Sequence, residues 1–237
     1  MNILIVLTYY RPHISGLTIY AERIARALVR RGHQVTVLTS QFEPTLPREE
    51  TCDGVHVIRV PVLTRLSKGV IMPSFGRMAS QLVREHDVLQ LHLPQFDAAG
   101  VALRGRLHKK PTVITYHCDL ELPPGLFNRV ANLAVLMMND LAAIFTHRIV
   151  TYTEDYASHS AYTRRFMKKV KVIPPPVVLP VISLDQKDSF RREHNPNGQR
   201  PVIGMAARFA TEKGVEVLLN AMPAVLEKYP QALFQFV

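Results

Sequence analysis

Short runs of Val, Ile, Leu and Thr recur along most of the chain, at residues 3–7, 34–39, 55–60, 88–92, 112–116, 148–151 and 170–173. They are near-continuously apolar rather than alternating, which is the pattern of strands buried on both faces. Between them lie helix-length segments at 17–31, 74–84, 97–107, 127–146 and 154–166. The first is the clearest. Leu17, Tyr20, Ala21, Ile24, Ala27 and Leu28 share one stripe, Arg23, Arg26, Arg30 and Arg31 lie toward the other side, and Gly32 stands at the end as a C-cap. Strand followed by helix, repeated, predicts a parallel sheet with helices on both faces.

The rhythm breaks at Pro174-Pro175-Pro176, and a polar stretch follows as far as Gly198, the composition of a linker. Residues 201–206 then read as a fresh buried strand, 215–228 as a helix and 232–237 as another strand. The expected organisation is a domain over 1–175, a linker over 176–200 and the opening of a second, unfinished domain over 201–237. The segment closest to a membrane span, 130–145, is interrupted by Asn132, Asn139 and Asp140 and falls short of the ~18–20 apolar residues a crossing needs. The first apolar run is too short for a signal peptide, and two cysteines, Cys52 and Cys118, make neither a disulfide framework nor a zinc spacing. A cytoplasmic protein is expected. The 29 Lys+Arg against 19 Asp+Glu give a net charge of +10, which implies an acidic partner: nucleic acid, anionic lipid or phosphorylated small molecules.

In an open parallel sheet, ligands bind beyond the carboxyl ends of the strands. The loops there hold Thr8, Tyr9, Tyr10, Arg11, His13, Ser15 and Gly16, then His92 and Asp97, then His117, Asp119 and Glu121, then Thr153, Glu154 and Asp155. Ser15-Gly16 opens the first helix, where free amides and the helix dipole would favour an anion; a plain turn is the competing reading of Gly16. Neither the dinucleotide fingerprint nor the P-loop motif occurs, which argues against a dehydrogenase and a P-loop NTPase. His117 and His92, at strand ends, either line a cleft or are satisfied core histidines. Cys118 makes no pair with His117, since successive strand side chains point to opposite faces. In the second domain Arg208 and Lys213 lie between a strand and a helix, where two cations could neutralise a diphosphate without a metal; a solvated basic loop is the alternative.

At this point the chain resembles the amino-terminal part of a family 4 glycosyltransferase with the GT-B fold. The resemblance rests on residues 3–12, on Ser15-Gly16-Leu17-Thr18, on residues 27–39 around Gly32-His33, on Thr115-Tyr116-His117, on residues 172–177, and on residues 208–214 from Arg208 to Lys213-Gly214. It implies two Rossmann-like domains, the first holding the acceptor and the second the nucleotide-sugar donor, with transfer in the cleft between them and retention of anomeric configuration. It also implies roles. Gly16, beside Ser15, would meet the donor diphosphate, His117 would sit by the transferred sugar, and Arg208 and Lys213 would clamp the leaving diphosphate. Tyr9, Tyr10, Arg11, His92 and Glu154 are expected to line the acceptor site or the cleft. No cofactor or metal is implied, the nucleotide-sugar being a co-substrate and the acceptor a sugar or a lipid-linked molecule.

Two departures qualify the match. The family has a double glycine where Ser15-Gly16 stands here, and its glutamate pair, seven residues apart, is expected downstream of Val237. The chain alone is therefore expected to bind donor weakly and turn over little. A non-catalytic Rossmann-like module, or a subunit completed by a partner, is the rival reading. Peripheral contact with anionic membrane through Arg11, Arg23, Arg26, Arg30, Arg31, Lys168, Lys169 and Lys171 is a further expectation. Nucleic acid ranks low, because no binding motif accompanies the charge.

Overall fold

The computed structural model describes residues 1–66, 69–120, 125–196, 198, 200–210 and 213–237, so Glu121 lies outside the described residues. The chain divides into two compact units, Met1–Val177 and Val178–Val237.

In the first unit the elements run β1 (Asn2–Val6), α1 (Gly16–Arg30), β2 (Gln34–Gln41), β3 (Glu49–Cys52), β4 (Val55–Pro61), β5 (Thr64–Leu66), β6 (Gly69–Ile71), α2 (Phe75–Glu85), β7 (Val88–Leu93) and α3 (Ala98–Leu107). They continue with β8 (Thr112–Tyr116), α4 (Leu126–Phe145), β9 (Arg148–Thr151), α5 (Glu154–His159), α6 (Ala161–Arg165) and β10 (Val170–Val172). The main sheet has the order β10-β9-β8-β7-β1-β2-β4-β3, parallel throughout except for β3, which runs antiparallel on β4. The chain builds outward from β1 on one side and then returns to place β7 on its other side, so the order reverses between β1 and β7. That reversal opens a crevice at the carboxyl edge.

Parity along β1 builds the core. Ile3, Ile5 and Leu7 face one layer with Ala21 and Ala25 of α1, while Leu4 and Val6 face the other with Ala79, Leu89 and Leu91. Small residues let α3 lie close on the sheet: a Cβ at Gly105 would fall 2.5 Å from Thr112 Oγ1 and 2.7 Å from Leu89 Cδ1.

The predicted strands and helices of this unit are all present, with ends displaced by a residue or two. Two local differences have identifiable causes. The expected helix 154–166 is two helices, because Ser160 takes an extended backbone (φ −64°, ψ 129°). Strand β3 folds back through Asp53-Gly54, both at positive φ (51° and 77°), an Asp-Gly hairpin turn whose signal lay in plain view. Arg59, with 1% exposure, anchors that edge by donating to the carbonyls of Arg11 and Pro47 and to Glu50.

The second unit contains α7 (Leu184–His194), β11 (Val202–Met205), α8 (Val215–Lys228) and β12 (Leu233–Phe236), with β11 and β12 paired in parallel. Helix α7 lies inside the stretch read as linker. Ser183 and Gln186 complete a reciprocal capping box at its start, which sets a helix in otherwise polar sequence.

Candidate functional site

The reversal between β1 and β7 gathers four side chains from four elements. His92 comes from the end of β7, His117 follows β8, Tyr152 follows β9, and Tyr20 leans in from α1. His92 pairs in register with Thr115. His117 is fixed by its own amide, which donates to the Leu93 carbonyl at 3.0 Å.

The two imidazoles lie 2.9 Å apart, His92 Nδ1 to His117 Nε2. His117 Nδ1 hydrogen-bonds the Tyr152 hydroxyl. Both ring nitrogens of His117 are thus engaged by protein. Tyr20 sits edge-on to His117 and His92, with centroids at 5.1 and 5.8 Å, and tilted 5.5 Å from Tyr152. Burial removes the solvation an imidazolium would need, so His117 is lowered to about 4 and His92, at 1% exposure, is lowered well below its usual value. The neighbouring His117 lowers His92 further. At neutral pH the pair is uncharged. His92 Nε2 is buried without a hydrogen-bond partner among the described residues.

Tyr20 lies four residues after Gly16 and so on the same face of α1, which sets the helix start beside this cluster. Ser15 caps α1 by accepting from the Thr18 amide at 3.2 Å, and its hydroxyl also bonds Thr18 Oγ1 at 2.8 Å. A helix leaves its first amides without intrahelical acceptors, so those of Gly16 and Leu17 remain at the carboxyl edge. Beyond its own neighbours in the chain and helix, nothing lies within 4 Å of where a Gly16 Cβ would stand. The Ser15 hydroxyl is occupied in capping the helix.

The loop after β8 is held independently. Asp119 accepts hydrogen bonds from the hydroxyls of Tyr116 (2.9 Å), Tyr156 (3.0 Å) and Ser160 (2.9 Å). Burial and the Asp119 charge together raise the phenols of Tyr116 and Tyr156, which stay protonated donors.

The other predicted residues are distributed as follows. Tyr9 stacks on His13 at 4.9 Å, with Phe42 at its edge. Tyr10 is buried in the core layer beneath α1. Arg11 is paired with Glu22 at 2.6 Å. Glu154 is exposed in the first turn of α5, favourable to the helix dipole. Arg208 and Lys213 are exposed beyond the carboxyl end of β11 in the second unit, with residues 211 and 212 outside the described set. Tyr20 and Tyr152 were missed as site residues. The strand-end rule that selects His117 also selects Tyr152, the first residue after β9, and the helical repeat from Gly16 selects Tyr20.

The comparisons with known proteins agree with this architecture. An uncharacterized glycosyltransferase of Methanocaldococcus jannaschii is 28% identical across 97% of this chain and 61% of its own length. A GDP-mannose-dependent alpha-mannosyltransferase of Mycolicibacterium smegmatis is 27% identical across 92% of this chain and 59% of its own. The chain thus spans about six tenths of the curated relatives it matches. Among solved structures, Anabaena HepE in complex with UDP and glucose superposes with a TM-score of 0.62 at 17% identity, covering 99% of this chain and 60% of that one. The model of Glycosyltransferase Family 4 matches residues 14–179, from the turn before Gly16 through β10. On that match the chain belongs to Glycosyltransferase Family 4, and its architecture is GT-B.

Proposed function

We propose that this chain is the amino-terminal part of a glycosyltransferase that moves a sugar from a nucleotide-sugar donor to a sugar or lipid-linked acceptor, with retention of configuration. The observation that carries the reading is the convergence at the β1/β7 reversal. In a chain of this family, the amino end of α1 at Gly16, one turn before Tyr20, lies at the same sheet edge as a neutral, hydrogen-bonded His92–His117–Tyr152 chain.

The chemistry follows from these groups. The Gly16 and Leu17 amides would receive diphosphate oxygens at the positive end of α1. Burial makes His117 a weak base and both its ring nitrogens are engaged, so its contribution to a bound sugar is a hydrogen bond or ring contact rather than proton transfer. A ligand reaches its Nδ1 only by displacing Tyr152; otherwise the Tyr152 hydroxyl is the group it meets. Arg208 and Lys213 are assigned to the charge that develops as the bond between the anomeric carbon and the diphosphate breaks, with no metal required. On this reading residues 1–237 alone bind donor weakly and turn over little.

The test uses the longest natural form of the protein and a panel of nucleotide-sugars, reading release of nucleoside diphosphate. One donor is expected to be consumed, and R208A or K213A to slow that consumption by roughly 100-fold or more, the usual effect of removing one electrostatic contact to a developing charge. Undiminished release in both variants would remove these residues from the mechanism. Failure of every donor to bind would return the chain to the binding-module reading.

A further inference from the structure

Helix α4 is the most apolar helix of the first unit that spans 20 residues, yet much of its apolar surface faces outward. Leu126, Val130, Leu133, Met137, Leu141 and Ile144 are 81, 63, 60, 54, 36 and 56% exposed. They recur at the helix's own period of about 3.6 residues and so form one continuous stripe, about 30 Å long at 1.5 Å per residue. Isolated exposed apolar residues are ordinary, but a contiguous stripe on this scale marks a surface that something covers.

Charge tells which covering fits. Around the carboxyl end of α4 lie Lys169, whose ammonium donates to the carbonyls of Ala143, Ile144 and Thr146, the exposed Arg148, and Arg106 within electrostatic reach of Lys169. Near the amino end stands the exposed Arg129. The one acidic residue of the helix, Asp140, is neutralised by Arg165 at 2.7 Å. A second copy of the chain fits poorly. Packed antiparallel, α4 would set Arg129 against the other copy's basic end; packed parallel, each basic end would meet itself. Either way like charges oppose each other. A flat anionic surface satisfies both ends at once while taking up the apolar stripe.

We infer that α4 is an in-plane docking helix for an anionic bilayer surface, its apolar stripe entering the headgroup–acyl boundary and the exposed Arg106, Arg129 and Arg148 meeting lipid phosphates, while Lys169 caps the helix end. The helix lies along the bilayer rather than through it, since no helix of the described residues is long and apolar enough to cross a membrane. Of the cationic set expected from sequence, Lys169 stands at the end of α4, but three of the arginines are engaged elsewhere. Arg11 and Arg26 are turned to Glu22, Arg26 also to Asp53, and Arg23 to the Pro176 carbonyl. Because α4 follows β8, it starts at the carboxyl edge of the sheet, and a bilayer on this face lies alongside the crevice. The inference stands on α4 alone and does not depend on sugar transfer.

The experiment is co-sedimentation of the longest natural form of the protein with phosphatidylcholine vesicles and with vesicles carrying about a third phosphatidylglycerol. Binding is expected to the anionic vesicles, weakened by salt as headgroup charge is screened. The L133E/M137E double variant is expected to lose at least ten-fold in bound fraction, with an unchanged circular dichroism spectrum because both positions are exposed. L63E, at an exposed site outside α4 (73%), is expected to bind like the parent. Parent and double variant binding equally would overturn the inference. So would absence of binding by the parent, or a dimer of the parent that the double variant dissolves without any vesicle binding.

Discussion

Acidification should weaken the first unit through its histidine pair. His117 is lowered from 6.5 to about 4 by burial. Between those values the unfolded chain binds a proton that the folded chain refuses, so stability falls as the pH drops through the window from about 6.5 to about 4. Lowering from 6.5 to about 4 corresponds to a loss of about 3 kcal/mol from this group, large beside the roughly 5–15 kcal/mol of an ordinary domain. His92, shifted the same way, steepens the fall, though a proton on one imidazole hinders the second. The assay is urea unfolding followed by circular dichroism at several values from pH 7 to pH 4, for the parent and for H117F. Titrating carboxylates contribute to both proteins and cancel in the difference. H117F forfeits its hydrogen bonds and starts about 1–3 kcal/mol less stable at pH 7. Its disadvantage should shrink rather than grow as the pH falls. An identical slope in both proteins would show that His117 is not held neutral by burial, and the description of the site as an uncharged imidazole pair would fail.

Other perturbations test separate parts of the account. G105A gains up to about 1 kcal/mol of helix propensity but drives a methyl into the fully buried Thr112 and Leu89, so a net loss of about 1–2 kcal/mol in urea unfolding is expected; a gain would contradict the close α3 packing. Y152F keeps the ring and removes the hydroxyl bonded to His117 Nδ1, so ¹⁵N-histidine NMR should show changed ring shifts at His117 and His92, with the other histidines unmoved. R59M leaves two carbonyls and Glu50 without their donor and should cost about 2–4 kcal/mol, read by the same unfolding assay. D119A strands three hydroxyls and should cost about 1–3 kcal/mol while loosening amide exchange in residues 117–120.

The parallel sheet was legible because its strands are buried on both faces and its helices carry one-sided stripes, so periodicity alone separates them. What escaped was short-range. Asp53-Gly54 and the Ser183/Gln186 cap are two-residue signals set in polar sequence, where hydrophobic pattern is silent. The site was half legible. Strand ends pointed to His92 and His117, but their mutual bond depends on the β7–β8 register and Tyr20's part on how α1 lies over the sheet, neither of which is local. Tyr10 and Arg11, adjacent to Tyr9, go instead to the core and to Glu22, because a loop residue's direction is set by what it packs against rather than by its position after a strand. Helix α4 shows the same limit. Its composition reads as core, and only its placement leaves the stripe outside.

The central claim is that the carboxyl edge beside β1 and β7 receives a nucleotide-sugar, and hydrogen–deuterium exchange tests it directly. The amides of Gly16 and Leu17 have no intrahelical acceptors and should exchange quickly in the free, full-length protein. Saturating nucleotide-sugar is predicted to slow them, together with amides after β8 and β9 near His117 and Tyr152 and those of the Arg208–Lys213 loop. Binding that leaves residues 15–18 and 117–119 exchanging at their free rates would contradict the account.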